Sequence, residues 1–449
     1  MTAPSPWSGL FTDDLDGLDK TMGRLLRSEE ARQRTTVNLI ASESYCPRAT
    51  IEAEASLLVN KNASGYPGHR DVGGCEVFDE IERLAIDRAR ALFGAEHANV
   101  QGVASTVANV AVLRALLRPG DRILAFGGRA GGHHSHGGSR HLSGQDYEVT
   151  TFGLDEAAGA IDLAEVGRLA REVRPRVVVA GSTACPRAID FRGLHAIAAE
   201  VGAILFADIA HVAGLVVTGL HDNPAPYADV VTTSTHKTLC GPRTGGVVLS
   251  SRRLAEAIDA AIYPGLQGAP GAHIIAGRAV LFELVATPAF RQLMQAVVTN
   301  AAVLARTLAT HGLALYLGGT DTHMVVVDLG PSAWTAAGVT AALEAHAILA
   351  NGVRLPSRDA RAIQDGRGTG GGRPRLGVRL GTVAMTIRGM DEAGMRRVGD
   401  AVALVLARGA DQPALPEIRR EMAAVAADHP LPEGAWTPGA GVPGSHHVG

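Results

Sequence analysis

The chain is poor in cysteine and carries little net charge. Its four cysteines, Cys46, Cys75, Cys185 and Cys240, are scattered over 449 residues and form no CxxC pair. This spacing argues against a metal site or a disulfide framework. The formal net charge is -3, so we expect no general attraction to nucleic acid or to an anionic membrane surface.

Long apolar segments are also lacking. No run is long enough to cross a bilayer, and residues 1–12 lack the basic stretch and apolar core of a secretory signal. Hydrophobic residues make up 46% and charged residues 19% of the chain, as in globular proteins with a large core. We therefore expect a cytoplasmic protein of two or three structural units.

Short β-branched segments alternate with helical segments along the middle of the chain, which predicts a largely parallel sheet covered on both faces. The predicted strands are Arg122–Phe126, Arg176–Ser182, Ala203–Asp208, Asp229–Ser234 and Gly245–Ser250. Predicted helices cover Glu76–Phe93, closed by Gly94 as a C-cap, Leu163–Val173 and Leu194–Val201.

The C-terminal part has an α+β pattern that indicates a smaller domain. Its predicted elements are a long helix over Ala289–His311, a strand over Thr322–Leu329, and helices over Ala336–His346 and Asp391–Leu406. We predict a helical arm over residues 1–38, a large domain over 39–288, a small domain over 289–420 and a disordered tail over 421–449. The glycine-rich segment Gly366–Gly372 is expected to be flexible.

The strongest local feature is the segment VVTTSTHKTLCGPRTGG, residues 230–246. In it, a strand ends in hydroxyl residues and is followed by His236, Lys237 and a Gly/Pro-rich turn. A lysine at the mouth of a sheet can form a Schiff base with an aldehyde cofactor, and the hydroxyls can help to hold a phosphate. The alternative is a solvated surface lysine.

Asp208 ends an apolar strand in the segment FADIAHVAGL, residues 206–215. Open α/β sheets bind ligands at the carboxyl ends of their strands. A carboxylate there could pair with a cofactor's pyridinium nitrogen and strengthen the ring as an electron sink, whereas the alternative is a helix N-cap. Asp208 precedes Lys237 by one further strand, as a shared ligand would require, so each supports the other.

Ser105 and Thr106 open an apolar helix in the segment VASTVANVAVLRALL, residues 103–117. Hydroxyls and free N–H groups at a helix N-terminus form an anion site that suits a phosphate. Ordinary helix capping would also explain this pair.

Many collinear segments resemble the serine hydroxymethyltransferases, a fold-type I pyridoxal-phosphate family, from about Val37 to Leu406. The segments are NLIASES (38–44), GYPGHRDVGGCE (65–76), ANVQ (98–101), GGHHSHG (131–137), DIAHVAGL (208–215), residues 230–246, YPGLQGAP (263–270) and VRLGTVAMTIRG (378–389). The resemblance implies pyridoxal 5′-phosphate and a large α/β domain with a mainly parallel seven-stranded sheet, followed by the small α+β domain.

The resemblance also implies roles for individual residues. Lys237 would carry the cofactor, Asp208 would bond its pyridinium nitrogen, His133 would stack on its ring and His211 would lie beside its 3′-oxygen. Ser105, Thr106 and His236 would hold the phosphate, with Gly268 contributed by a partner subunit of a homodimer or dimer of dimers. Arg379 would clamp the substrate's α-carboxylate, with Ser42 near it. For Arg379 the alternative is a surface arginine in a strand. No metal is implied.

The chain departs from the family pattern mainly on the folate side. Asn62 replaces a tyrosine, Ser64 a glutamate, Asp71 and Val72 a tyrosine pair, and His134 a leucine; TACPR (183–187) and Val383 also differ. Because the cofactor positions match while these do not, the resemblance points to a folate-independent branch. With Ser64 in place of the glutamate, His134 or a bound water is the expected base on the substrate's β-hydroxyl.

The leading functional hypothesis is an L-threonine transaldolase of specialised (antibiotic) metabolism, which transfers a glycine unit from an amino acid to an aldehyde. The alternatives are a hydroxymethyltransferase acting on serine or α-methylserine with tetrahydrofolate, and a simple threonine aldolase that releases glycine. A non-catalytic cofactor-binding homologue and an aminotransferase are further readings. Retention of Lys237, Asp208, His133 and Arg379 argues against a non-catalytic protein.

Overall fold

The computed structural model describes residues 8–243, 245–330, 334–356, 375–409 and 412–432. The predicted flexible segment Gly366–Gly372 and residues 433–449 of the predicted tail lie outside these ranges. Within the described part of the chain, no single helix is long and apolar enough to cross a membrane.

The large domain is built on a seven-stranded sheet, which confirms the predicted fold class. All neighbouring strands pair in parallel except Gly246–Ser250, which runs antiparallel to both of its neighbours. The central strands are fully buried because helices cover both faces of the sheet. In spatial order the strands are His97–Asn99, Gly246–Ser250, Val230–Ser234, Ile204–Asp208, Val177–Gly181, Arg122–Phe126 and Glu148–Phe152.

The side chains of one strand alternate between two apolar cores. Ile123 and Ala125 pack into the core on one face of the sheet, whereas Leu124 and Phe126 pack into the core on the other, as the two-residue period of a strand requires. The helices of this domain are Arg48–Glu54, Glu76–Phe93, Ser105–Leu116, Leu142–Asp146, Leu163–Val173, Phe191–Glu200, Ala213–Val217, Ala255–Ile262 and Ala272–Val285. Gly94 closes the second of them in the left-handed conformation, at φ 69°, which confirms the predicted C-cap.

The small domain has an antiparallel four-stranded sheet covered by helices. Its strands lie in the order Ala314–Leu315, Met324–Asp328, Arg375–Gly381 and Asn351–Leu355. Its helices are Pro288–Thr310, Ala336–Ala345, Val383–Ile387, Glu392–Ala407 and Pro416–Asp428.

The predicted start of a disordered tail at residue 421 is wrong. The helix Pro416–Asp428 continues past that position, and its residues Met422, Val425 and Ala426 are fully buried in the small-domain core. The apolar positions of this short helix fall four and three residues apart, so one face can pack inward.

The N-terminal arm consists of the helices Ser8–Thr12, Leu15–Leu18 and Lys20–Thr35. The next residues belong to the small domain, because the strand Val37–Asn38 pairs in parallel with Ile348–Leu349. Leu39 is likewise buried in the small-domain core, although the predicted boundary placed it in the large domain. The segment before the substrate-side residue Ser42 is therefore held by the small domain.

Candidate active site

Asp208 is the last residue of the strand Ile204–Asp208, and Lys237 follows the adjacent parallel strand Val230–Ser234. Burial lowers the pKa of Lys237 from 10.5 to about 8; the charge of Asp208 opposes this effect, and that of Arg379 adds to it. Among the described residues, the amine of Lys237 has no hydrogen-bond or ion-pair partner. A buried lysine with a lowered pKa and no partner is suited to bond an aldehyde, which disfavours the solvated alternative.

Asp208 lines a cavity of the site and is only 8% exposed. Its carboxylate accepts hydrogen bonds from Asn109 Nδ2 at 2.8 Å, His136 Nε2 at 3.0 Å and the Ala210 N–H at 3.0 Å. Burial raises the pKa of Asp208, but the hydrogen bond and charge of His136, the charge of Lys237 and the Ala210 N–H together hold the pKa below its ordinary value. An ionised, buried carboxylate of this kind suits a protonated ring nitrogen.

The alternative reading of Asp208 as a helix cap is wrong. The following helix, Ala213–Val217, is preceded by Val212, and no side chain caps it.

Sequence reasoning missed Asn109 and His136, the two side chains that hold Asp208. Asn109 also donates to Ser135 Oγ at 2.8 Å and accepts from Thr232 Oγ1 at 2.6 Å. The available signal was a polar residue in an otherwise apolar helix, because a buried amide must find partners. His136 lies in the segment GGHHSHG, in which only His133 and His134 were predicted to have a role.

His133 presents a neutral ring near Asp208. Its Nδ1 lies 2.6 Å from Ser135 Oγ, and burial lowers the pKa of His133 to about 3. The ring centroid of the exposed His134 lies 3.8 Å from that of His133. An uncharged aromatic ring here fits the role of stacking on a cofactor.

The ligand atoms of His133, His136 and Asp208 lie within 4.8 Å of one another, a spacing that would also suit a metal ion. The hydrogen bonds that join His136 to Asp208 and His133 to Ser135 account for the grouping without one. That the site holds no metal stays a prediction.

Ser105 and Thr106 are the first two residues of the helix Ser105–Leu116. The cap position is Ala104, which offers no side-chain hydrogen bond, so ordinary capping does not explain the two hydroxyls. The helix N-terminus therefore presents N–H groups and hydroxyls of the kind that bind a phosphate.

His236 and Gly268 are the other predicted phosphate residues. The Nδ1 atom of His236 is buried and finds no hydrogen-bond partner in the ranges that the structure describes, and burial lowers the pKa of His236 to about 3. An orphaned buried nitrogen beside Lys237 fits a ligand that would supply its partner. Gly268 faces open space, because a Cβ added there would meet no atom within 4 Å. Its contribution to a partner's site stays a prediction.

Arg379 is 9% exposed, so the surface-arginine alternative is wrong. Its guanidinium donates to Asn351 Oδ1 at 3.2 Å and to the Thr183 carbonyl, and burial lowers its pKa to about 10. These two bonds orient the planar group and leave further N–H donors for a carboxylate. Ser42 is half-buried, and its role beside that carboxylate stays a prediction.

His211 is buried, and the charged groups of Lys237 and Arg379 both act on it. Its Nδ1 lies 3.5 Å from His323 Nε2, and Thr238 Oγ1 donates to its carbonyl at 3.0 Å. Burial, followed by the charges of Lys237 and Arg379, holds the pKa of His211 well below its ordinary value. The ring is therefore neutral at physiological pH.

Three of the positions that depart from the family pattern make surface contacts, whereas Cys185 and Val383 are buried in the large-domain core. Ser64 Oγ donates to Asn62 Oδ1 at 3.2 Å, and the Tyr263 hydroxyl donates to Asp71. None of these four groups is a core residue, so the fold tolerates their exchange.

A buried lysine near a buried carboxylate, on a seven-stranded sheet with a helix N-terminus that opens with two hydroxyl residues, is the arrangement of a fold-type I pyridoxal-phosphate enzyme. The chain belongs to the serine hydroxymethyltransferase family, whose model matches residues 15–402. It is 43% identical over 430 residues to serine hydroxymethyltransferase 2 of Rhodospirillum rubrum, covering 95% of this chain and 97% of that protein. The enzyme is accordingly a pyridoxal 5′-phosphate-dependent transferase.

Proposed function

We propose that the enzyme cleaves the Cα–Cβ bond of a β-hydroxy-α-amino acid and transfers one of the two fragments to an acceptor. The observation that carries this proposal is the grouping of Lys237, Asp208 and Arg379. Asp208 and Lys237 lie at the carboxyl ends of adjacent parallel strands, Asp208 and Arg379 are buried, and the charges of both act on the lysine. The group combines a cofactor-binding amine, a partner for the ring nitrogen and a carboxylate clamp.

Each of these residues has a distinct task. Pyridoxal phosphate, when bound, supplies an electron sink. Asp208, held ionised by His136, keeps the ring nitrogen protonated. Lys237 has a pKa of about 8, so its amine can gain and lose a proton near neutral pH. Arg379 fixes the substrate carboxylate and thereby selects which bond at Cα is aligned for cleavage.

A base must also take the proton of the β-hydroxyl. We assign this task to His134, directly or through a bound water, because its exposed imidazole lies against His133. Partial burial, and then the charge of His136, lower the pKa of His134. It is therefore neutral at pH 7 and able to accept a proton.

Hydroxymethyl transfer from serine is the first candidate for the complete reaction. The 43% identity to a serine hydroxymethyltransferase over nearly the whole of both chains supports it. The donor would be serine or α-methylserine, and the acceptor tetrahydrofolate.

Threonine transaldolase activity is the second candidate, and the altered residues favour it. The family's glutamate at position 64 handles folate and the substrate hydroxyl proton, whereas Ser64 here donates its hydrogen bond to Asn62. A site without that carboxylate would release acetaldehyde from threonine and pass the glycine unit to a larger aldehyde. A simple aldolase would instead release the glycine.

The assembly is the remaining part of the proposal. We expect a homodimer or dimer of dimers, in which Gly268 completes the phosphate site of a partner. Exposed apolar residues on the N-terminal arm support such an assembly: Leu10 is 74%, Phe11 86% and Leu18 71% exposed.

One set of assays separates these candidates. Purified holoenzyme is given serine or threonine, with and without tetrahydrofolate and with and without a panel of aldehydes. Folate-dependent turnover of serine supports the first candidate, aldehyde-dependent consumption of threonine the second, and glycine release without an acceptor the aldolase. If neither amino acid is consumed under any condition, the proposal is wrong.

A Ser64→Glu variant sharpens the comparison, because it restores the family's carboxylate. If the missing glutamate limits folate use, this variant gains folate-dependent serine turnover, while the matched variant Ser64→Gln does not.

A further inference from the structure

Two buried histidines connect the cofactor side of the site to the substrate side. His323, which is fully buried, lies at the start of the small-domain strand Met324–Asp328. Its Nε2 is 3.0 Å from the carbonyl oxygen of Ala41 and 3.5 Å from His211 Nδ1. The two rings are stacked, with centroids 5.6 Å apart and planes inclined by 19°.

The Ala41 carbonyl fixes the proton of His323. A carbonyl oxygen only accepts hydrogen bonds, so the Nε2 atom of His323 must carry the hydrogen. Burial lowers the pKa of His323 to about 3, so the ring is neutral and its Nδ1 bears a lone pair. That nitrogen is buried and has no hydrogen-bond partner within the described part of the chain, which agrees with the absence of a second proton to donate.

The proton of His323 determines the tautomer of His211. An Nε2 atom that carries a hydrogen has no lone pair in the ring plane, so it cannot accept a hydrogen bond from His211 Nδ1, which lies 3.5 Å away. Because His323 Nε2 carries a hydrogen, His211 Nδ1 is the lone-pair nitrogen. The single proton of the neutral His211 ring then lies on Nε2, the nitrogen remote from His323.

We infer that His323 is a positioning residue that holds His211 as an Nε2–H donor toward the bound cofactor. His211 lines the same cavity as Asp208, and the charge of Lys237 acts on it. This location fits the predicted position of His211 beside the cofactor's 3′-oxygen, where an N–H donor would stabilise that oxygen in its anionic form. His323 also ties this donor to Ala41, the neighbour of Ser42. The inference depends on cofactor binding and is independent of the acceptor in the proposed function.

The test uses the holoenzyme and two substitutions of the same residue. His323→Gln retains an N–H donor near the position of Nε2, whereas His323→Leu removes it and keeps an apolar side chain in the core. His346→Gln serves as the matched control, because His346 is a buried histidine of the small domain that bonds Ala342 and Leu415. The readouts are the cofactor dissociation constant, the pH midpoint of the bound cofactor's absorbance, and the thermal midpoint.

Loss of the donor should weaken cofactor binding and raise the pH midpoint. We expect His323→Leu to raise the cofactor dissociation constant roughly three- to tenfold and the absorbance midpoint by about one pH unit. His323→Gln and His346→Gln should leave the absorbance midpoint unchanged. The other charged or titratable groups acting on His211 are Lys237, Arg379 and His133, and all three remain in every variant.

Two outcomes would overturn the inference. The first is a His323→Leu holoenzyme with the wild-type midpoint and cofactor affinity. The second is an equal shift in His323→Gln and His323→Leu, which would show that His323 contributes packing alone. The thermal midpoint identifies a variant that has lost its fold, and in that case His323→Met, which also lacks an N–H donor but keeps more of the side-chain volume, takes the place of His323→Leu.

Discussion

Replacing Lys237 by methionine should stabilise the enzyme in its cofactor-free form. Burial lowers the pKa of this amine from 10.5 to about 8, which means that the folded state disfavours the ammonium. A shift of that size corresponds to about 3 kcal/mol below pH 8. Methionine has a similar length and carries no charge, so Lys237→Met removes this cost while abolishing covalent attachment of the cofactor.

The difference in stability between Lys237→Met and the wild type should depend on pH. Between pH 8 and 10.5 the unfolded chain holds a proton on Lys237 that the folded chain has released, so wild-type stability rises with pH across this window. The advantage of Lys237→Met should therefore be largest near pH 7 and shrink steadily above pH 8.

Urea unfolding of the cofactor-free proteins at several pH values measures this difference. Lys20→Met is the matched control, because Lys20 is exposed at the start of an N-terminal helix, and its stability should follow that of the wild type. A Lys237→Met protein that is less stable than the wild type, or whose advantage does not change with pH, would refute the reasoning.

Three further predictions concern the substrate clamp, the phosphate site and the C-terminal helix. Arg379→Lys should raise the KM for the amino acid about tenfold or more, because lysine lacks the planar fork; an unchanged KM in steady-state assays would contradict the clamp. Ser105→Ala combined with Thr106→Val should weaken pyridoxal phosphate binding at least about tenfold and leave the weaker binding of phosphate-free pyridoxal unchanged; equal losses for both ligands would argue against a phosphate site. Met422→Ala should lower the free energy of unfolding by about 2–5 kcal/mol, whereas the exposed Arg420→Ala should change it little; equal effects in urea unfolding would contradict the packed helix.

The sequence predicted site residues best where a reactive side chain stands at the end of an apolar strand or in the turn that follows it. Asp208 and Lys237 could be predicted because apolar strands end at recognisable polar residues, and parallel strands place those ends on one edge of the sheet. Asn109 and His136 could not, because their role depends on helix packing that brings Asn109 within 2.8 Å of Asp208. The C-terminal helix was missed for a similar reason, because its apolar face is short and its burial depends on contacts with the small-domain core.

The residues around Asp208 and the residues that depart from the family pattern differ in how much stability is lost when they are exchanged. Asp208 sits in a buried network in which Asn109, His136 and Thr232 each satisfy a partner, so losing one member leaves another polar group unpaired in the core. The altered residues Asn62, Ser64 and Asp71 lie outside the core, and their exchange leaves no such group behind. Exchange of these three residues therefore costs little stability, whereas the altered residues Cys185 and Val383 lie in the large-domain core. This asymmetry is the physical reason for testing the acceptor first at position 64.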